Sequence, residues 1–406
     1  MLGVALCIVG APINAAESPI HPGDHIAFVG NTFADQLRSH GYLETLLLQR
    51  SAGNPVSIRN LGWAGDMLTV RDRPTNFPTE ASTLEAHKTD VIIACFGMGE
   101  SFTGESALVE FKNNLTAFIT SHHAKKYNGK SEVRLVLVSP IAYENLGART
   151  PRWEERNREI AAYIQVMNET ATKVGVPFVN LYGLTSKLMR VRNAPKLTDN
   201  GINLNDYGYW CVSRTLADAL LPGEAPWLLS VDTKTGRASG RGGNISDVKS
   251  KGKTLSFAVQ ELAWPSPAAP VRGDVHPQLR RNLDQLSIKN LAPGNYRLVV
   301  DGMPVATASH VQWAAGLGLN STPAHVSLES YRKSIYDKNA HFVYSWKALN
   351  QVHIVGERRK SPSGRALPAE VIEFNKLTNQ KDKALGAGIR LKSRQWQLVP
   401  VTPLIP

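Results

Sequence analysis

At 406 residues, with 42% hydrophobic and 20% charged residues, the chain is long enough for two cores and too apolar to be an unfolded polymer. Lysine and arginine exceed aspartate and glutamate by 46 to 34, a formal net charge of +12. No helix-turn-helix, zinc-finger or RNA-binding pattern accompanies that charge, so a basic secreted surface is expected and a nucleic-acid partner is not.

The chain opens with a short apolar run, Leu2–Val9, followed by small residues that include Ala15 and Ala16. This is the outline of a signal peptide lacking its basic leading segment, and residues 1–16 are expected to direct export to the periplasm or beyond. The run is too short to span a bilayer as a helix, and no membrane span is expected. Past it only Cys95 and Cys211 remain, in an apolar strand and a helix, where buried free thiols are expected.

From there to about residue 222, short apolar runs alternate with amphipathic stretches. The runs are Ile26–Val29, Val56–Leu61, Val91–Phe96, Leu135–Val138 and Phe178–Leu181; several are continuously hydrophobic, as strands buried on both faces are. Helices are predicted over Phe33–Arg50, Ser106–His122, Trp153–Val174 and Tyr207–Leu221. The order is of βαβ type and predicts a three-layer α/β/α domain over residues 24–222, with a parallel sheet between helices.

Pro222–Pro226 reads as a boundary, and residues 223–253 as a linker. Within it Lys234–Lys253 is rich in Gly, Ser and basic residues, a composition that predicts a mobile loop. Residues 254–406 read as a smaller mixed α/β region. Thr254–Val259, Gln285–Ile288 and Arg297–Val300 are predicted strands, and the Pro-Gly and Asp-Gly turns suggest a hairpin in a small sandwich. Ser327–Asn339 and Pro368–Lys383 are predicted helices, and the apolar Phe342–Trp346 and Val352–Gly356 between them are expected to dock on the first domain.

Ligands bind such sheets at the carboxyl ends of their strands. The loops there are Gly30-Asn31-Thr32, Gly62-Trp63-Ala64-Gly65-Asp66, Gly97-Met98-Gly99-Glu100-Ser101, Pro140-Ile141-Ala142-Tyr143-Glu144 and Asn200–Asn205. In their order and spacing they resemble the four sequence blocks of the SGNH (GDSL-type) hydrolase family. The resemblance implies a flavodoxin-like fold and hydrolysis of esters, often acyl groups on lipids or carbohydrates. It also implies roles for individual positions. Thr32 stands where the family has its nucleophilic serine, Gly65 matches the glycine whose N–H binds the oxyanion, and Gly99 replaces an asparagine donor. Asn200 and Asn203 stand where the family has an aspartate and a histidine. Most of the chain, with a Gly-Asn-Thr first block and a C-terminal extension, is similar to an SGNH subgroup of planctomycete-type bacteria.

These substitutions bear on chemistry directly. A hydroxyl nucleophile needs a base in hydrogen-bond reach and a group to orient that base. Thr32 keeps a hydroxyl, with a methyl that restricts its rotation. An asparagine at 203 supplies no general base, a contribution of roughly 10²–10⁴-fold. Asp66, Glu100 and Glu144 are the carboxylates at the same edge; they could hold a cation or act as acid and base, or bind loop amides. Of the histidines, His25 and His87 sit at the opposite, amino edge.

Asn31, Trp63, Asp66, Glu100, Tyr143 and Glu144 are therefore the expected ligand-binding residues, and Phe102 and Tyr209 are further aromatic candidates. No cofactor and no metal are expected. The reading favoured is a degenerate ester-hydrolase scaffold that binds a carbohydrate or acyl ligand. The alternatives are an active exported esterase with Thr32 as nucleophile and a metal-assisted hydrolase using Asp66 and Glu100.

Overall fold

A computed structural model describes residues 18–73, 77–271, 275–347 and 360–401, the side chain of Ser363 excepted. The expected signal peptide and Val352–Gly356 lie outside the described residues. The first half holds five parallel strands: β1 (His25–Gly30), β2 (Ser57–Asn60), β3 (Val91–Cys95), β4 (Arg134–Val138) and β5 (Phe178–Val179), in the order β2-β1-β3-β4-β5. Alternate side chains leave the sheet on opposite faces. Ile26, Phe28, Ile93, Val136 and Val138 enter one core, and Ala27, Val29, Ile92, Ala94, Leu135 and Leu137 enter the other. Continuous apolar runs are the consequence of having both faces covered.

The helices of this half are α1 (Thr32–His40), α2 (Tyr42–Arg50), α3 (Glu80–His87), α4 (Leu108–His122), α5 (Trp153–Val174), α6 (Leu181–Met189) and α7 (Asp206–Leu220). The predicted helix Phe33–Arg50 is two helices. Gly41, at φ 68°, is left-handed backbone that ends α1, and the chain turns before α2 begins. The helices α3 and α6, of 8 and 9 residues, are too short to be separated from loops by sequence pattern.

The second half departs further from expectation. Strands β6 (Leu228–Asp232), β7 (Ala238–Arg241), β8 (Gly243–Lys251) and β9 (Thr254–Glu261) occupy the segment expected to be a linker and basic loop. That expectation is corrected. Both β7 and β8 are largely exposed, and their polar, Gly-rich sequence suits a ribbon that contributes few side chains to a core. They are followed by β10 (Asp284–Lys289), β11 (Asn295–Val300), β12 (Met303–Ser309), α8 (His310–Ala315), β13 (Leu317–Leu319), α9 (Pro323–Trp346), α10 (Pro362–Leu385) and β14 (Ser393–Val401).

Two sheets result, β13-β10-β6-β7 and β12-β11-β14-β9-β8. Trp227, Leu229, Phe257, Leu286, Leu298 and Trp396 fill one core that draws on both. The predicted hairpin is β11–β12, turned at Asp301 and Gly302, both at positive φ. Helix α9 runs on to Trp346, through the apolar segment predicted as separate. Phe342 and Trp346 join the second core of the parallel-sheet domain, so that segment docks as expected.

Candidate active site

The first loop of the site is set by a close approach of two strands. A side chain at Gly30, where φ is 126°, would put its Cβ 2.1 Å from the Cys95 carbonyl oxygen. Only glycine lets β1 end so near β3. The next residue, Asn31, donates its N–H to that same carbonyl at 3.1 Å, and its side chain accepts the Phe33 N–H at 3.0 Å. Asn31 is thus the N-cap of α1, and Thr32 is the first helical residue. Its N–H has no acceptor within the helix and remains a donor at the positive end of the dipole.

The second loop is tied to the first. The Trp63 N–H donates to the Gly30 carbonyl at 2.9 Å, and the Asn60 side chain donates to Ala34 O and accepts the Gly62 N–H. The third loop is pinned to the second by Glu100. One carboxylate oxygen accepts the Gly97 N–H at 2.8 Å and the other the Leu68 N–H at 2.9 Å. Burial pushes the Glu100 carboxyl above its ordinary range despite those donors.

The last loop is held from below by Glu144. This buried carboxylate accepts the N–H groups of Leu197 and Thr198 and the Thr198 hydroxyl, while its own N–H donates to Gly201 O. The Asn200 side chain accepts the N–H groups of Ile202 at 3.2 Å and Asn203 at 2.8 Å. An aspartate could make the same turn. Asn205 caps α7 by accepting the Gly208 N–H.

Together these loops enclose a pocket of about 180 Å³. Thr32, Gly65, Gly99 and Asn203 all line it, with Asn31 and Asp66. Phe33, Phe96, Met98, Phe102, Ile141 and Ile202 form much of the rest of the wall, which is mainly apolar. None of the described histidines lines it. Asp66 does, but Arg73 holds both its oxygens, at 2.9 and 2.6 Å. Burial raises the Asp66 carboxyl and Arg73 opposes that rise. Among the described residues no group of three His, Cys, Asp or Glu side chains is placed to hold a metal ion.

Several expected ligand residues are elsewhere, and the reasons are physical. Asn200 is exposed and outside the lining, its oxygen spent on the turn. Glu100 and Glu144 are both occupied by backbone amides, as a carboxylate buried under loops has to be. Trp63 faces away from the pocket, packed edge-on against Phe77 and Trp346 with Arg73 and Lys347 near its ring. The Tyr143 ring lies against Gly201, and Tyr209 is buried between Phe33 and His40. Phe102, 55% exposed at the pocket rim, is the aromatic candidate that the structure does place there.

The apolar wall was not foreseen. Its signal was present in the apolar residues that flank each loop glycine, but in sequence they are indistinguishable from strand ends. Cys95 also lines the pocket, but burial pushes its thiol well above the ordinary range, so it is no nucleophile there. Elsewhere, Thr322 Oγ1, His325 and Asp284 form a hydroxyl–imidazole–carboxylate row with contacts of 2.7 and 3.1 Å. All three are buried in the C-terminal half and Thr322 caps α9, so no substrate can reach that row.

The loop order, the 2-1-3-4-5 sheet and the pocket at its carboxyl edge now stand together, and comparison with known proteins agrees with them. Residues 23–211 match the GDSL-like lipase/acylhydrolase family. This half of the chain is an SGNH-type ester-hydrolase scaffold. Among solved structures, a gut microbial diltiazem-metabolizing enzyme is similar over 95% of this chain and 99% of its own, at 18% identity and a TM-score of 0.68. The scaffold and its C-terminal region therefore occur together in another fold of the same architecture. A catalytic mutant of an acetylxylan esterase from Geobacillus stearothermophilus covers 50% of this chain and 96% of its own, with 14% identity and a TM-score of 0.37. An α/β hydrolase from the metagenome of Lake Arreo covers 50% and 99%, with 14% identity and a TM-score of 0.39. No curated protein matches the chain significantly.

Proposed function

We propose that this SGNH scaffold binds an acyl or similarly apolar group in the pocket beside Thr32 and has lost efficient ester hydrolysis. One observation carries the reading: Asn203, which cannot accept a proton from a hydroxyl near neutral pH, stands in the pocket beside Thr32. The remaining carboxylate of the wall, Asp66, is bound at both oxygens by Arg73, so it is neither a free base nor an open ligand for a cation. The mainly apolar lining suits the acyl part of an ester better than a bare sugar. Export, supported by the apolar start of the chain, would put this pocket in the periplasm or outside the cell.

Residual turnover by Thr32 is the second reading, favoured by the backbone. The Thr32 and Gly65 N–H groups do not depend on the lost side chains, and both residues line the pocket. Two amide donors could still stabilise an oxyanion, a contribution of about 2.7–4 kcal/mol per donor in hydrolases.

The test is to assay the purified chain and its Thr32→Ala variant on p-nitrophenyl acetate and butyrate, and to titrate both with a non-hydrolysable butyramide analogue. Binding of the analogue without Thr32-dependent turnover supports the proposal. Turnover abolished by Thr32→Ala sinks it in favour of the second reading.

A further inference from the structure

Phe102 is largely exposed at the rim of the pocket beside Thr32, yet it is held in place. It lies in a single 3₁₀ turn, Glu100–Thr103, and its N–H donates to the Gly99 carbonyl at 3.2 Å. The Arg156 guanidinium of α5 lies 4.0 Å from the centre of its ring. Arg156 is buried and anchored. Its Nη1 donates to Ser101 O at 3.1 Å, its Nη2 to Ser101 Oγ at 2.9 Å, and it pairs with Glu159. The Ser101 hydroxyl in turn donates to Met98 O at 2.8 Å. One guanidinium thus ties down the residue before Phe102 and stacks on the phenyl ring itself. Arg156 is no part of the pocket lining, so it backs the ring and leaves contact with a ligand to Phe102.

An ordered ring has lost its rotamer freedom before a ligand arrives, which makes its apolar surface more effective in binding. Phe33, Met98 and Ile202 also line the pocket and keep part of their surface exposed. Polar groups are scarce beside them. Arg73 holds Asp66, Asn31 caps α1, and Ser139 Oγ donates to Pro140 O and accepts the N–H groups of Leu181 and Tyr182. That leaves the Thr32 hydroxyl and the Asn203 amide as the side-chain groups offered to a ligand, enough for one carbonyl.

Size sets the other limit. An apolar protein cavity of about 150 Å³ takes a benzene-sized molecule. The pocket of about 180 Å³ then takes roughly seven non-hydrogen atoms, the carbonyl oxygen and six carbons of a hexanoyl group. A longer chain runs out past the rim into water.

We infer that the pocket selects acyl groups of about four to six carbons, and that Phe102, positioned by Arg156, favours them over shorter ones. This rests on the acyl reading above and adds a chain length and a selecting residue to it. An acetyl group is too short to reach the rim, whereas a butyryl or hexanoyl chain can lie against the ring.

The test is equilibrium dialysis of the full chain against the p-nitroanilides of acetic, butyric, hexanoic and octanoic acids. The head group is constant, so differences report the acyl chain alone. Affinity should rise about fourfold per methylene from acetyl to hexanoyl and stay level from hexanoyl to octanoyl. Phe102→Ala should weaken hexanoyl binding at least about fivefold and leave acetyl binding within about twofold, while Phe102→Tyr keeps the parent profile. Arg156→Lys, which keeps a cation but cannot make both bonds to Ser101, should give a smaller loss with the same dependence on chain length. An equal loss at every length in Phe102→Ala overturns the inference, as does a rise that continues unchanged to octanoyl in the parent. Those two results leave the acyl reading standing, whereas no binding by any member of the series removes both.

Discussion

Lys338, fully buried on α9, donates to Glu44 Oε1 on α2 at 2.5 Å and to the Ile58 carbonyl at the sheet edge at 3.0 Å. The neighbouring Asn339 donates to the other oxygen of the same carboxylate at 2.9 Å. A charge pair of this kind costs desolvation on both sides and tolerates the loss of neither member alone. It sits at the seam between the SGNH scaffold and the C-terminal half, so its loss reports on how the two are joined.

Lys338→Ala should therefore destabilise the protein by about 3–5 kcal/mol, because Glu44 is left charged and buried. Lys338→Met combined with Glu44→Gln should recover much of that. Urea unfolding of the two variants against the parent checks both values. A loss below about 1 kcal/mol for Lys338→Ala would show that water reaches the seam.

On the proposed reading, placing asparagine, aspartate and histidine at positions 99, 200 and 203 should give ester hydrolysis only with help from packing. A Cβ on Gly99 would meet Met67 Cγ at 2.8 Å, so Met67 has to move before Gly99→Asn fits. Gly99→Asn should cost about 1–3 kcal/mol by overpacking, and a second change, Met67→Ala, should relieve it. The variant with Gly99→Asn, Asn200→Asp and Asn203→His on that background should hydrolyse p-nitrophenyl butyrate at least about 10²-fold faster than the parent. The gain should vanish on adding Thr32→Ala.

Two glycines of the site should respond in opposite degree to the same change. Gly30→Ala drives a Cβ into the Cys95 carbonyl, and its cost should exceed about 4 kcal/mol. Gly65 has positive φ, but nothing lies within 4 Å of its would-be Cβ. Gly65→Ala should cost only the backbone term, about 1–2 kcal/mol. Thermal unfolding separates the two.

His87 predicts a pH dependence. Burial holds its imidazole well below the usual histidine value, with Arg59, His25 and Lys338 opposing a charge further. In the unfolded chain the ring binds a proton below about pH 6.5, while in the folded protein it stays neutral. The unfolded state then holds more protons, so stability is complete above about pH 6.5 and falls as the pH drops below it. Unfolding curves between pH 8 and 5 should show this slope, and His87→Phe should flatten it. Equal slopes in both proteins would remove His87 as the source.

The parallel-sheet half was legible because its signals are local. Continuous apolar strands, helical spacing in Trp153–Val174 and a small-residue loop after each strand need no partner to be recognised. Of the residues named for the site, Thr32, Gly65, Gly99, Asn203, Asn31 and Asp66 converge on one pocket, since loops at one sheet edge have no other place to go. Trp63, Glu100, Tyr143, Glu144 and Asn200 lie in the same loops but serve their neighbours. Residue type cannot separate a carboxylate that faces a ligand from one that binds an amide. The β7–β8 ribbon was missed for a related reason: an exposed strand carries no apolar period, and its pairing partners are what make it a strand.

What the sequence determined by itself was the order of the five parallel strands, the loops that share their carboxyl edge, and the presence of asparagine at positions 200 and 203. Those follow from periodicity and from the chemistry of single side chains. Only the tertiary structure decided that Asp66 is taken by Arg73, that the pocket wall is mainly apolar, and that Arg156 backs Phe102 at the pocket rim. Each of these depends on side chains distant in sequence or on direction across a loop, and such contacts are fixed by packing rather than by any local pattern.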